Sequence, residues 1–211
     1  MRADNLKLMT IPLELWLSML LFAAVTSITP GPNNMMVLAS GVNFGYRKTL
    51  PHLLGISIGH SFMCLMVGLG LGKVFTLWPL TYTVLKVLGV LYMVYLAWGV
   101  AHSAAPQASA EQSQGKPLGF WGAAAFQWVN PKAWMMALMF FGNFMPQNAG
   151  LALVIAASLM FASVNFPCVS VWALLGARLR RYLQVDRHRK VFNWTMAILL
   201  VASMLPVLNS A

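Results

Sequence analysis

Long apolar runs, separated by short polar segments, set the pattern of this chain. A helix needs about 20 consecutive apolar residues to cross the ~30 Å hydrocarbon core of a bilayer. Runs of suitable length lie near residues 13–41, 50–72, 79–100, 118–142, 149–176 and 190–209. The pattern therefore predicts an all-α membrane protein with six transmembrane helices.

The first run contains a segment that cannot continue as a helix, Thr29-Pro30-Gly31-Pro32-Asn33-Asn34. Each proline lacks a backbone N–H and clashes with the preceding turn, and glycine loses the most conformational freedom on folding. In a bilayer, the polar groups that such a break frees are tolerated only where they are buried in protein or line a wet cavity. The break therefore indicates a site, followed by a second half-helix that begins at Asn33.

A second break, at Gln127-Trp128-Val129-Asn130-Pro131-Lys132, follows about a hundred residues later. Each break lies roughly 15 residues into the first apolar run of its half of the chain. Interrupted helices at corresponding positions of two halves are typical of transporters built from inverted repeats, which hold their substrate near the bilayer midplane. We therefore predict that helices 1 and 4 are discontinuous and that a substrate site lies between them.

A hydrophilic segment from His102 to Pro117 divides the chain, and its Ala, Ser, Gln and Gly content is typical of a flexible linker. The predicted organisation is a first three-helix repeat at residues 1–100, a cytoplasmic linker at 101–117 and a second three-helix repeat at 118–211. Because each half has an odd number of spans, the second half enters the membrane upside down relative to the first. The fold prediction is therefore two inverted 3+3 repeats.

Composition and charge agree with a membrane protein and exclude other classes. Hydrophobic residues make up 59% of the chain and charged residues 9%, and the mean hydropathy is +0.71, far from the averages of soluble proteins. The net charge of +10 would suggest nucleic-acid binding in a soluble protein. Here the cations flank apolar spans, where anionic headgroups and topology account for them. We expect a lipid bilayer and no nucleic acid as a partner.

The distribution of lysine and arginine between the loops predicts the orientation of the chain. Nine of these residues fall in connections assigned to the cytoplasm and three on the opposite face. The nine are Arg47, Lys48, Lys116, Arg178, Arg180, Arg181, Arg187, Arg189 and Lys190, and the three are Arg2, Lys7 and Lys73. Because cytoplasmic loops carry the excess of positive charge, both termini are predicted to lie outside, on the periplasmic face.

Lys132 is the sharpest single indication of chemistry. An ammonium in the middle of a span costs a few kcal/mol unless it faces protein or water. The four acidic residues lie at span edges or in loops, so no carboxylate inside the membrane neutralises it; they are Asp4, Glu14, Glu111 and Asp186. Two interpretations stay open: recognition of an anion or carboxylate, and a structural tether for the carbonyls that Pro131 frees.

The half-helix after the first break offers a complementary feature. Unpaired N–H groups and a positive dipole end make its start an anion cradle, at which Asn33 and Asn34 could bind a substrate carboxylate. Alternatively, Asn33 is the N-cap of this half-helix. Gln127 and Asn130 could bind an amino or hydroxyl group, or could cap the second broken helix.

A substrate ammonium would need a different partner, namely carbonyl groups at a helix C-terminus. Such groups are expected before Pro30 or before Pro131. With the carboxylate held by Lys132 and the Asn33–Asn34 start, these elements together would bind a zwitterion.

The other polar residues within the spans have structural and functional interpretations. His60 could carry protons for coupling, or could make an interhelical hydrogen bond. Asn165 is expected to join helices. Cys64 and Cys168 form no disulfide framework, and we expect neither a metal nor another cofactor. A thiol-disulfide carrier is an alternative function, but such a protein would be expected to place a cysteine at each broken helix.

Several segments resemble one family of bacterial membrane proteins. They are Ile28 to Asn33, the glycines Gly55 and Gly59, the segment Tyr92 to Trp98, and Asn130-Pro131-Lys132. In their order and spacing they resemble the lysine exporter / homoserine-threonine resistance (LysE/RhtB) family of amino-acid exporters. The resemblance implies a multi-pass protein of the bacterial inner membrane that exports amino acids, driven by the proton motive force, and no enzyme. It also implies a functional core made of Pro30, Gly31, Pro32, Asn33, Asn130, Pro131 and Lys132.

The substrate class is narrowed by the missing acidic residue. An exporter of lysine or arginine must balance a cationic side chain, and no carboxylate lies within the spans to do so. We therefore expect a small neutral substrate, such as homoserine, threonine, serine, cysteine, O-acetylserine or a branched-chain amino acid, with a basic amino acid as the alternative. A homodimer that pairs through a glycine-rich face is the expected assembly.

Overall fold

A computed structural model describes residues 12–102, 117–146, 149–180 and 182–202. The α-helices of these residues are α1 (Leu13–Ile28), α2 (Pro32–Phe44), α3 (Tyr46–Met66), α4 (Lys73–Leu77), α5 (Pro79–Ala101), α6 (Phe120–Phe126), α7 (Pro131–Phe144), α8 (Leu151–Leu179) and α9 (Asp186–Ala202). A π-helical turn, Val67–Leu71, continues α3, and 3₁₀ turns at Gln127–Val129 and Tyr182–Gln184 precede α7 and α9. The two chain ends and most of the predicted linker lie outside the described residues.

Several of these helices can cross a bilayer. Within the described ranges, Tyr46–Leu71, Thr83–Ala101 and Leu151–Leu179 are each long and apolar enough, and α1 with α2 passes as one span bent by 56°. Large apolar side chains such as Leu21 are exposed on the outside, as a lipid-facing surface requires. The chain is thus an all-helical multi-pass membrane protein. The six-span arrangement in two inverted repeats stays a prediction, because α6, α7 and α9 have 7, 14 and 17 residues.

Both predicted breaks are present, and proline defines each of them. Pro32 and Pro131 are the first residues of α2 and α7, the position at which the missing N–H costs nothing and the fixed φ suits the helix. The first break follows 16 helical residues. The second follows the 7 residues of α6 and one 3₁₀ turn. Helix α6 begins at Phe120, close to the predicted start of its apolar run at 118, so the second break lies inside that run, as predicted.

Helix α2 lies at the centre of the fold, with Pro32 and residues 34–42 buried. It packs backbone to backbone on α8 through two glycines. A Cβ on Gly41 would overlap the carbonyl oxygen of Ala173, and a Cβ on Gly176 would overlap that of Leu38. Glycine is therefore required at both positions by the closeness of the two helices.

The small-residue spacing in α3 has the predicted packing role. A Cβ on Gly55 would overlap the carbonyl oxygen of Phe120, and a Cβ on Gly59 would lie 2.6 Å from the Cα of Ala124. Helix α3 of the first half is thus held against α6 of the second half. This contact and the α2–α8 contact bring the two breaks together.

Candidate functional site

Lys132 joins the two breaks directly. Its Nζ donates hydrogen bonds to the carbonyl oxygen of Thr29 at 2.9 Å, to Thr29 Oγ1 at 3.1 Å and to the carbonyl oxygen of Pro30 at 3.1 Å. These oxygens follow the end of α1, where the helix dipole is negative. The ammonium therefore lies at a carbonyl end, whereas the positive start of α2 is the end that would attract an anion.

The other carbonyls at the end of α1 are also occupied. Asn34 Nδ2 donates to the carbonyl oxygens of Ser27 and Thr29 at 2.9 and 2.7 Å. Trp172 Nε1 donates to that of Ile28 at 3.1 Å. Side chains thus satisfy the acceptors that the break exposes, as the absence of water in a membrane interior requires. The predicted tether function of Lys132 is present, but it serves the carbonyls at Pro30 and not those at Pro131.

Gly31 provides the room for this arrangement. A Cβ at this position would lie 2.7 Å from Cδ and 2.8 Å from Nζ of Lys132. Its φ of 179° is an extended conformation that any residue adopts, so the requirement for glycine is steric. Gly31 in the first break therefore lies in contact with Lys132 in the second break.

The amides of Asn33 and Gln127 form a reciprocal pair across the two halves. Asn33 Nδ2 donates to Gln127 Oε1 at 2.9 Å, and Gln127 Nε2 donates to Asn33 Oδ1 at 3.2 Å and to the carbonyl oxygen of Ala123 at 2.9 Å. The interpretation of Asn33 as an N-cap is wrong, because α2 begins at Pro32 with Gly31 as its N-cap. Asn33 and Gln127 instead link the two broken helices.

Asn130 has the capping function that the sequence allowed. Its Oδ1 accepts a hydrogen bond from the backbone N of Lys132 at 3.1 Å, so Asn130 is the N-cap of α7. Both Asn130 and Pro131 are buried. Together they fix the first turn of α7 and thereby the position from which the Lys132 side chain reaches the other break.

The breaks enclose a small polar cavity. Its lining includes Thr26, Ser27, Gly31, Asn33, Asn34, His60, Asn130, Lys132, Ala133, Met136, Asn165 and Val169. The cavity volume is about 20 Å³, which is room for roughly one water molecule. In this structure the cavity is therefore closed to any molecule larger than about one water.

His60 and Asn165 line the same cavity. His60 Nε2 lies 3.3 Å from the carbonyl oxygen of Ala133, and its Nδ1 lies 3.7 Å from Cys64 Sγ. Asn165 Nδ2 donates to Ser27 Oγ at 3.0 Å, and Asn165 Oδ1 accepts from Ser57 Oγ at 3.0 Å. Asn165 thus joins α1, α3 and α8, as predicted, and His60 makes an interhelical contact with α7.

Ser27 and Thr29 are site residues to which sequence reasoning assigned no role. Ser27 contributes its hydroxyl to Asn165 and its carbonyl to Asn34, and Thr29 contributes both of its oxygens to polar side chains. The sequence signal that could have identified them is the presence of hydroxyl residues close to a proline break in an apolar run. Cys64 and Cys168 are free thiols, and neither is among the residues that line the cavity.

Comparisons with known proteins identify the family of this chain. The family model for LysE type translocators matches residues 24–205. Similar relatives are the cysteine/O-acetylserine efflux proteins of Escherichia coli (strain K12), Shigella sonnei (strain Ss046) and Escherichia coli O1:K1 / APEC, each 29% identical over 181 residues that cover 85% of this chain and 90% of the relative. No solved structure matches the chain. The chain therefore belongs to the LysE type translocator family, and it is a transporter and not an enzyme.

Proposed function

We propose that this translocator is a secondary active exporter of small neutral amino acids or their derivatives, which works by proton antiport and alternating access. Efflux of an amino acid as the general activity follows from the family and its relatives. The observation that carries the site is the ammonium of Lys132 on the carbonyl oxygens of Thr29 and Pro30. The α-ammonium of an amino acid requires the same partners, namely carbonyl oxygens that accept its hydrogen bonds.

The proposed binding step exchanges one ammonium for another. The α-ammonium of the substrate replaces Lys132 Nζ at the carbonyl end of α1, where the helix dipole favours a cation. Lys132, released from these oxygens, pairs with the substrate carboxylate. The N–H groups at the start of α2 lie next to the same carbonyl end, so they bind the other carboxylate oxygen. The substrate-binding residues of this proposal are Pro30, Gly31, Pro32, Asn33, Asn34, Gln127, Asn130, Pro131 and Lys132.

The proposed preference for neutral substrates rests on the residues that line the cavity. None of the lining residues carries a carboxylate, and a second positive charge on the substrate would lie near Lys132 without a counter-ion. Relatives are named for cysteine and O-acetylserine efflux. These compounds, with homoserine, threonine, serine and branched-chain amino acids, form the proposed substrate class.

Alternating access requires that the two halves separate at the site. Among the hydrogen bonds across the halves, the Asn33–Gln127 amide pair and the Lys132 contact join the two breaks, and the proposal requires that they open. We propose that two inverted repeats, 1–100 and 118–211, rock against each other around them. His60, which lines the cavity, is the proposed carrier of the coupled proton.

The proposed location is the bacterial inner membrane, with both termini on the periplasmic face. A Cβ on Gly45 would lie 3.6 Å from Arg180 Nη1, so the start of α3 and the end of α8 lie close together. This proximity supports the assignment of the basic residues near 47 and near 180 to one face, the cytoplasmic face. The proposed assembly of the protein in this membrane is a homodimer.

The test of the proposed function is efflux of labelled amino acids from proteoliposomes with an imposed pH gradient. The panel contains serine, O-acetylserine, homoserine, leucine and lysine. We expect gradient-dependent flux of one or more neutral substrates and none of lysine. Flux that is independent of the pH gradient would contradict proton antiport, and flux of lysine alone would contradict the neutral substrate class.

Replacing Gly31 with alanine is expected to reduce efflux while leaving a folded protein. The new methyl group takes the space of the Lys132 side chain, which is flexible and can move away, so the change costs little stability but weakens the ammonium–carbonyl contact. We expect flux to fall by about 10-fold, which corresponds to the free energy of one charge-assisted hydrogen bond. The matched control is Gly142→Ala, where a Cβ meets no atom within 4 Å. Equal flux for both variants would contradict the role of Gly31.

A further inference from the structure

A second, larger cavity lies beside α2, toward the C-terminal end of this helix, whereas the breaks lie at its N-terminal end. This vestibule has a volume of about 570 Å³, within the range of small-molecule sites. Its lining includes Met36, Asn43, His52, Leu96, Gly99 and Leu118. It therefore has room for an amino acid, which the closed cavity between the breaks does not.

Two polar side chains of the vestibule have buried atoms without a hydrogen-bond partner among the described residues. Both ring nitrogens of His52 and the Oδ1 atom of Asn43 are buried and unpaired there, and His52 is only 2% exposed. The neighbouring hydroxyls of Ser40 and Thr49 bond to each other at 2.9 Å, and Thr49 also donates to the Gly45 carbonyl. A buried polar group without a hydrogen-bond partner lowers the stability of the fold, so the unsatisfied atoms indicate a site at which a ligand binds.

Residues of α2 line both the vestibule and the closed cavity between the breaks. Asn34 and Asn43 are nine residues apart on this helix, which places the vestibule about 14 Å from the breaks. Met35 follows Asn34 directly, Phe126 precedes Gln127, and both belong to one buried apolar cluster with Met36. This cluster therefore adjoins both cavities, because Met36 also lines the vestibule.

We infer that the vestibule is a loading site, in which His52 and Asn43 bind the exported amino acid before it reaches the site between the breaks. This inference rests on the proposed function. A neutral His52 ring offers one donor and one acceptor, and Asn43 Oδ1 accepts from an ammonium. The apolar lining suits a short uncharged side chain. The vestibule is lined by Asn43 near the end of α2 and by His52 in α3, and Arg47 and Lys48 lie between them in the sequence. This places it toward the proposed cytoplasmic face, from which an exporter takes its substrate.

The test is substrate protection of a thiol placed in the vestibule, in full-length protein in detergent. Cys64→Ser and Cys168→Ser remove the native thiols, and Gly99→Cys introduces one where a Cβ meets no atom within 4 Å. We expect O-acetylserine to slow labelling by N-ethylmaleimide at least about threefold. Gly142→Cys, which also has open space and lies outside the vestibule, is the matched control and should not be protected.

Two further variants separate loading from translocation. Protection of Gly99→Cys should persist with Lys132→Met, because the vestibule binds substrate without the break site. It should disappear with His52→Leu or Asn43→Leu, while the thermal midpoint stays equal or rises, because an apolar side chain replaces an unsatisfied polar one.

Three results would overturn the loading site: no protection by O-acetylserine in protein that exports it, loss of protection with Lys132→Met, or equal protection of Gly142→Cys. Each of these leaves the exporter proposal intact if the wild type shows flux. Absence of flux for the whole panel would overturn the exporter proposal instead, and the loading site with it.

Discussion

Substitution of Lys132 by methionine is expected to abolish efflux and to leave the protein in the membrane. The variant keeps the length and apolar character of the side chain but removes the ammonium, which makes three hydrogen bonds to Thr29 and Pro30. Each charge-assisted bond is worth about 1.5–3 kcal/mol, so the loss of even one in the translocation cycle lowers flux by roughly 10- to 100-fold. We expect a loss of at least about 100-fold, measured as gradient-driven flux of the best panel substrate per amount of inserted protein.

Lys132→Arg is the control that keeps the charge. The guanidinium is larger and planar, and the Gly31 position leaves little room beside the lysine side chain, so we expect partial flux. Comparing thermal midpoints of the three proteins separates transport from folding. Normal flux with Lys132→Met would show that the lysine is a structural tether, and would remove the ammonium exchange from the mechanism.

The local features of the fold could be predicted from the sequence because they depend on local chemistry. Proline disfavours a continuous helix because it lacks a backbone N–H and clashes with the preceding turn, so the breaks at Pro30 and Pro131 were predictable from residue type. Residue type alone does not decide the outcome, since Pro51 and Pro167 lie inside α3 and α8. The packing role of Gly55 and Gly59 was predictable because their spacing is that of a close helix contact. The start of α2 was predicted one residue late, because Pro32 can serve as a first helical residue.

The partners of the polar side chains could not be predicted in the same way. The sequence left two interpretations open for Lys132, an anion and backbone carbonyls, and in this structure its ammonium contacts carbonyl oxygens after the end of α1. Both interpretations satisfy a buried ammonium, and the choice depends on how α2 and α3 of the first half pack against α8 and α6. That packing involves contacts between residues more than a hundred positions apart, such as Thr29 and Lys132.

His52 illustrates a second limit. A histidine near the end of a predicted span has no distinguishing sequence signal, and sequence reasoning gave it no role. Its significance comes from its burial beside a cavity with no hydrogen-bond partner in the described part of the chain, which is a property of the assembled helices. Unsatisfied polar atoms are thus the kind of functional indication that requires a structure.

The contact between α2 and α8 predicts the largest effect on stability. Gly41→Ala and Gly176→Ala each place a methyl group onto a backbone carbonyl of the opposing helix, at Ala173 and Leu38 respectively. A backbone cannot move aside as a side chain can, so the helices must separate. Overpacking typically costs about 1–3 kcal/mol, and we expect each variant to reach or exceed the upper end of that range.

Gly142→Ala is expected to raise the free energy of unfolding, whereas Gly41→Ala and Gly176→Ala lower it. Gly142 lies within α7, a Cβ there meets no atom within 4 Å, and alanine loses less backbone freedom than glycine, so a gain of about 0.5–1 kcal/mol is expected. Thermal unfolding in detergent should therefore show midpoints several degrees below wild type for Gly41→Ala and Gly176→Ala, and at or above it for Gly142→Ala. Because α2 carries both the break site and the vestibule, its separation from α8 would also lower flux. If Gly41→Ala and Gly176→Ala unfolded like the wild type, α2 and α8 would not be in backbone contact, and the meeting of the two breaks would need another explanation.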